Sequence, residues 1–246
     1  MEDQAEIWAR VGGGLELVPG GGRYGPADLN HPPPGGPWEQ LVVNGRLVGW
    51  ARPGAGKSAA RHAQEIAERL IAERRSYLLG RLGHKMRSAV LALQEAARQA
   101  AFGRSELLEQ LYEQAQEVGR RAAALEVTAL DPKDVARSVV IGAVLNLSAP
   151  AANRELPADA VVRAPETVLV EALERAYEWM GGPGSGIRGT AEDGWWRLEL
   201  SPAPVRRSLA VPEMGEPLVR FLVDTHLDGW LDSSDSNRPV IYLPAA

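Results

Sequence analysis

The sequence predicts an α+β protein built in three parts. These are a small β-containing segment over 1–56, a long helical hairpin over 57–128, and an α/β sandwich over 129–246. Three observations carry this. Apolar residues recur every three or four positions from Ser58 to about Ala101, and again after Ser105, the period of two amphipathic helices. The segment before them is cut by glycine and proline into short strand-like pieces. The segment after them alternates helical and strand patterns.

In the N-terminal part, Gly12-Gly13-Gly14, Gly20-Gly21-Gly22 and Pro32 to Gly36 punctuate the chain, and residues 1–36 read as loop-rich. Leu41–Val43 and Leu47–Trp50 flank Asn44-Gly45, a pair that accepts the positive φ angles of a two-residue hairpin. From Ser58 the stripe His62, Ile66, Leu70, Ile71, Leu78, Leu79, Leu82, Met86, Ala89, Val90, Leu93, Ala97 and Ala100 predicts one helix, a rod on the order of 60 Å. After the short loop Phe102-Gly103-Arg104, Ser105 is placed to cap a second helix carrying Leu107, Leu108, Leu111, Ala115, Val118, Ala122 and Leu125 inward. So short a loop requires the helices to run antiparallel, and one apolar stripe per helix is half a core. A dimeric four-helix bundle would close it.

Beyond Leu130, Asp131-Pro132 opens a predicted short helix to about Gly142. Leu145–Leu147 and Val161-Val162 read as strands, and Glu166–Met180 as a helix with Val168, Leu169, Ala172, Leu173, Ala176 and Trp179 inward. The glycine-rich run 181–186 reads as a turn, followed by a hairpin of Ile187–Gly189 and Trp195–Leu200. Leu218–Asp224 reads as helical and Val240–Leu243 as the closing strand.

Composition narrows the chemistry. The chain has 246 residues and no cysteine, which excludes disulfides and thiolate metal sites. The acidic start MEDQAEIWAR lacks the basic and apolar regions of a signal peptide, and no apolar run approaches a membrane span. The chain reads as soluble and cytoplasmic. A net charge of −5 argues against non-specific nucleic-acid binding. The charge is uneven: Arg74, Arg75, Arg81, Lys85 and Arg87 surround His84, whereas Glu106, Glu109, Glu113 and Glu117 lie on the next helix.

His84 is the first candidate for chemistry. It is two residues from both Leu82 and Met86, so at about 100° per residue it points roughly 200° from the apolar stripe. Ser88, four residues on, lies beside it on the helix.

The run Leu82-Gly83-His84-Lys85-Met86-Arg87-Ser88-Ala89-Val90 resembles the H-box of bacterial sensor histidine kinases. In that box a histidine is followed by an acidic residue, an apolar residue, Arg, Ser or Thr, Pro and an apolar residue. Ala160–Ala176 follows the strand, acidic turn and helix that carry the N-box of the same transmitter core. Gly215-Glu216-Pro217-Leu218 through His226-Leu227-Asp228-Gly229 resembles its last glycine box and following helix, and Arg238–Pro244 its final strand. The resemblance implies a dimerising phosphoacceptor hairpin joined to an ATPase-like domain, with His84 as the candidate phosphoacceptor. Receiver domains of response regulators carry an acidic pocket, so Arg81, Lys85 and Arg87 become candidate partner-binding residues.

The positions that would handle ATP depart from the family. Arg175 falls near the Asn that holds Mg²⁺, with Glu171 at the earlier Asn, and a cation would repel the metal. The adenine-reading Asp-x-Gly-x-Gly box is replaced by Ser201-Pro202-Ala203-Pro204, and Gly215 stands nearly alone where a glycine-rich lid belongs. Lys85 replaces the acidic residue that could take the histidine's proton.

Two other signals compete. Ala51-Arg52-Pro53-Gly54-Ala55-Gly56-Lys57-Ser58 fits a loose phosphate loop, with Lys57 and Ser58 as candidate nucleotide-binding residues. Its preceding strand sits in an antiparallel hairpin and its helix does not return to a strand, which suits a linker ending in a helix cap better. Asp224, His226 and Asp228 suit metal ligation on a strand, but their local pattern is a helix end.

The expected function is therefore a degenerate histidine-kinase-like pseudokinase or adaptor that homodimerises and binds a receiver-type signalling partner without ATP, cofactor, metal, nucleic acid or membrane. The alternatives are a histidine phosphotransferase relaying phosphoryl groups through His84, and a nucleotide hydrolase using Lys57.

Overall fold

The computed structural model describes residues 6–18, 22–25, 32–55, 58–101, 108–129, 136–150, 152–204 and 215–246. Two compact units divide the chain: Met1–Glu73 with Pro132–Ala246, and Arg74–Asp131.

The first unit begins with a five-stranded antiparallel sheet. Strands β1 (Ile7–Val11), β2 (Gly14–Val18), β3 (Arg23–Tyr24), β4 (Glu39–Val43) and β5 (Arg46–Ala51) lie in the order β3-β2-β1-β5-β4. Asn44 (φ 52°) and Gly45 (φ 76°) make the expected tight turn between β4 and β5. Within 1–36, read as loop-rich, the described residues hold the strands β1, β2 and β3. Gly12 and Gly13 form the two-residue turn of a hairpin, since Val11 pairs with Gly14 and Gly12 adopts φ 60°. Alternation along the strands gives two faces. Ile7, Ala9, Val11, Leu41 and Ala51 pack with Ala59, Ala63, Ile66 and Ala67 of the helix that follows. Trp8, Leu15 and Trp50 form the other cluster, joined by Trp38, Tyr24 and Trp195.

Helix α1 (Ala59–Ala101) starts and ends as the periodicity predicts. Its first residues belong to the first unit and its remainder, with α2 (Leu108–Ala129), forms the second. In that second unit the Arg121 guanidinium donates to the Lys85 carbonyl oxygen (2.5 Å). That contact brings the middle of α1 against α2 within the second unit. Leu78, Leu82, Ala89 and Ala96 are buried on α1, and Ala124, Val127 and Thr128 on α2. Leu79, Met86, Val90, Leu93, Leu111, Val118 and Leu125 are half-buried, while the expected inward residues Ala97, Ala115 and Ala122 are exposed.

The C-terminal part contains β6 (Arg137–Val140), α3 (Ile141–Ser148), β7 (Asn153–Glu155), β8 (Val161–Ala164), α4 (Glu166–Trp179), β9 (Gly186–Glu192), β10 (Trp195–Ser201), α5 (Glu216–Phe221), β11 (Trp230–Asp232) and β12 (Val240–Pro244). A π-helical turn, Leu222–His226, extends α5. The main sheet runs β11-β12-β10-β9-β7, antiparallel except for β7 with β9, and β6 pairs with β8. Leu145, Leu169, Leu173, Leu218 and Leu222 of the helical segments are fully buried, as are Leu198, Leu200 and Ile241 of the sheet.

Two expectations are corrected here. The region read as a helix through Gly142 holds strand β6, whose β-branched Val139 pairs with Val162. Leu145–Leu147, read as a strand, lies inside α3. The helical turn buries Ile141, Val144, Leu145 and Ser148 and leaves Leu147 exposed, a 3.6-residue period that three residues could not display. The start of the predicted 131–142 helix lies outside the described residues. Among the described residues, no helix is long and apolar enough to cross a membrane.

Candidate functional site

The helical period decides what surrounds His84. Tyr77, Arg81, His84, Ser88 and Leu91 follow one another at spacings of four, three, four and three, so they line one stripe of α1. That stripe is the outer one: Tyr77, His84, Ser88 and Leu91 are exposed and Arg81 is half-exposed. Arg81 donates to the Tyr77 hydroxyl oxygen (2.9 Å) and its guanidinium lies 5.6 Å from that ring. Ser88 donates its hydroxyl to the His84 carbonyl oxygen (3.2 Å), so its proton is engaged by the helix backbone and its oxygen lone pairs face outward. Arg87 is exposed and Lys85 is half-buried.

A second group, on α2, reaches this stretch. Glu117 accepts from both Arg120 and Arg121 (2.6 Å each), and Arg121, with its side chain only 11% exposed, reaches across to the Lys85 carbonyl. Burial raises the Glu117 carboxyl, but hydrogen bonds from Arg120 and Arg121 outweigh it and hold it below its ordinary value. The i,i+3 and i,i+4 spacings of Glu117, Arg120 and Arg121 are legible in the sequence as local pairs. Their reach to the residue beside His84 is tertiary.

In the C-terminal part the position expected to repel a metal holds a buried ion pair. Arg175 donates to Glu171 (2.7 Å) and to Glu178 (2.6 Å), and both Arg175 and Glu171 are about 95% removed from solvent. Burial works to lower the Arg175 guanidinium, yet the two carboxylates more than offset it, so it stays charged. Glu171, spent on Arg175, is not open to a metal, and no group of three or more metal-ligating side chains occurs among the described residues. Ser201 ends β10 and Pro202 to Pro204 follow it, without an acidic residue or a glycine.

Asp224, His226 and Asp228 do not converge. Asp224 is buried and accepts from Arg23 (2.5 Å) and from the Leu231 amide (3.0 Å). His226 is buried edge-on to Phe221 at 5.2 Å. Asp228 is exposed, 3.5 Å from Arg46. These contacts join the N-terminal sheet to the C-terminal part within the first unit. Arg23 also lies 4.0 Å over the Trp230 ring, and the Gly13 amide donates to the Gly229 carbonyl (2.8 Å). A Cβ on Gly14 would sit 1.9 Å from Trp230. Trp195 and Trp196, expected to pack sheet on helix, divide: Trp196 donates to the Val161 carbonyl (3.0 Å) and Trp195 joins the N-terminal tryptophan cluster. Lys57 lies outside the described residues; Ser58 is exposed at the start of α1, its carbonyl accepting the His62 amide (3.0 Å).

No protein-family model matches the sequence, and no curated protein matches it. Solved structures do. Histidine kinase ThkA, solved in complex with the response regulator protein TrrA, matches with TM-score 0.51 at 12% identity over 100% of this chain and 80% of its own. Histidine kinase AdeS of Acinetobacter baumannii matches with TM-score 0.46 at 14% identity, over 66% of this chain and 98% of its own. A structure described as a bacterial phosphotransferase gives TM-score 0.41 at 12% identity, over 70% and 95%. The likeness to ThkA, taken with the element order above, shows a histidine-kinase-like α+β fold.

Proposed function

We infer that the protein is a histidine-kinase-like signalling adaptor that operates without ATP. Its hairpins pair into a dimeric four-helix bundle, and the exposed stripe around His84 docks a receiver-type partner. The observation that carries this reading is the pairing of an intact outward histidine surface with a lost metal position. His84 stands exposed between Tyr77 and Leu91 with Arg81, Lys85 and Arg87 about it, while Glu171 and Arg175 neutralise each other where the family resemblance places Mg²⁺ ligands.

The stripe suits an acidic receiver pocket. Arg81 and Arg87 supply charge that steers association, and Tyr77 and Leu91, 57% and 63% exposed, supply apolar contact to either side. Homodimerisation is supported by the half-buried residues Leu111, Val118 and Leu125 at seven-residue spacing on α2, and by Leu79, Met86 and Leu93 at the same spacing on α1. A second reading, histidine phosphotransfer, is favoured by the exposure of the imidazole. A ring nitrogen of His84 would attack the phosphorus of a receiver's aspartyl phosphate and release the carboxylate, with Mg²⁺ supplied by the receiver. The nucleotide hydrolase using Lys57 has no support among the described residues.

Incubation with a phosphorylated receiver, and separately with labelled ATP, distinguishes these. The adaptor reading expects a stable complex weakened by Arg81→Glu or Arg87→Glu and no label on the chain. Label on His84 from the receiver alone establishes the phosphotransferase. Label from ATP refutes both readings, and ATP hydrolysis abolished by Lys57→Ala restores the hydrolase.

A further inference from the structure

The first unit contains a cavity of about 450 Å³ that the readings above leave unused. Its polar end is formed by Arg10 at the end of β1, Arg46 just after the β4–β5 turn, and Asp228. Val48, Ala67 and Ile71 supply apolar lining where the sheet meets α1, with Gln64 beside them. The volume is that of small-molecule sites, and the lining has their usual make-up, an apolar body with a few convergent charges.

The charges at the polar end do not balance. Arg10 is half-buried, and its one hydrogen bond among the described residues runs from Nε to the Gly12 carbonyl (3.0 Å), which leaves the outer edge of its guanidinium fork to the cavity. Burial and the neighbouring Arg46 cation both push the Arg10 guanidinium down from its ordinary value, and Asp228 partly restores it. Two cations thus share one carboxylate. That carboxylate is 3.5 Å from Arg46, exposed, and held on a residue with φ 49°. Guanidinium forks match carboxylates in a two-pronged way, and a second oxyanion beside Arg10 would satisfy both.

We propose that this cavity binds a short-chain aliphatic carboxylate. Its head group lies between Arg10 and Arg46 in place of Asp228, and its hydrocarbon tail lies along Val48, Ala67 and Ile71. A cation is repelled by the two arginines, and a neutral alcohol supplies no oxyanion to the half-buried Arg10. Asp228 is then a built-in competitor. It immediately precedes Gly229, whose carbonyl accepts the Gly13 amide. The proposal stands apart from the role of His84.

Titration of the full chain with hexanoate, read by calorimetry and by tryptophan fluorescence, tests it. Hexanol and acetate serve as probes lacking the charge or the tail. Hexanoate is expected to saturate a single site, with hexanol and acetate about tenfold weaker or more. Arg10→Gln and Arg46→Gln are each expected to weaken hexanoate about tenfold. Arg46 is exposed beside a turn, so its variant keeps the fold even if the Arg10 variant does not. Asp228→Asn removes the competitor while tolerating the same positive φ, and is expected to tighten hexanoate several-fold. Equal binding of hexanol and hexanoate, an unchanged affinity in Arg46→Gln, or a weaker one in Asp228→Asn would overturn the proposal.

Discussion

Replacing Arg23 with methionine probes the joint between the N-terminal sheet and the C-terminal part. Asp224, whose side chain has no exposed surface, accepts from Arg23 at 2.5 Å, and the same guanidinium covers Trp230 at 4.0 Å. Methionine keeps the aliphatic stem and removes the charge. The Leu231 amide still donates to Asp224, but the cation on a buried carboxylate is lost, a change that costs about 3–5 kcal/mol when both partners are dry. Arg23 is a quarter exposed, which places the loss at the lower end, near ~3 kcal/mol including the lost ring contact. For a chain of this size that lowers the thermal midpoint by roughly 6–12 °C. Circular dichroism melts of the wild type, Arg23→Met and Arg23→Met/Asp224→Asn supply the test. The double variant is expected to recover part of the loss, because a neutral amide no longer needs a cation. A single variant melting within about 2 °C of wild type, or a double variant less stable than the single, refutes the reasoning.

Three further outcomes are expected. Gly83→Ala should stabilise α1 by about 0.5–1 kcal/mol, since the added methyl meets nothing within 4 Å and glycine is costly in a helix interior; chemical denaturation reads it. Arg175→Met should destabilise by about 3–5 kcal/mol by leaving Glu171 buried without its cation, and a cost below about 1 kcal/mol in the same assay would show that the pair is not closed. Glu117 has a depressed folded value, so its contribution is present above its ordinary 4.5 and is lost as pH falls through the folded value. The stability difference between wild type and Glu117→Gln, measured by melts across pH, should therefore be full at pH 7 and vanish in acid.

Much of the helical architecture was legible because period and length reinforce each other over many residues. Ala59–Ala101 offers a dozen turns of repeated spacing, and Asn44-Gly45 carries the backbone freedom that its tight turn demands. Short elements escaped for the opposite reason. Ile7–Val11 and Gly14–Val18 are five residues each around a glycine turn, and Leu145–Leu147 is too brief to reveal a period. The outward direction of His84 also followed from spacing. The pocket of Arg10 and Arg46 did not, since residue 228 completes it from the far end of the chain.

The sequence by itself determined the two long helices, the Asn44-Gly45 turn and the face of α1 that carries His84 to water, because these depend on neighbours within a few residues. Only the tertiary structure decided which charges find partners far along the chain. Arg121 finds Lys85, Arg23 finds Asp224, and Arg10 is left short of a carboxylate. A buried ion requires a partner wherever the fold brings one, and chain separation imposes no rule on which residue that will be.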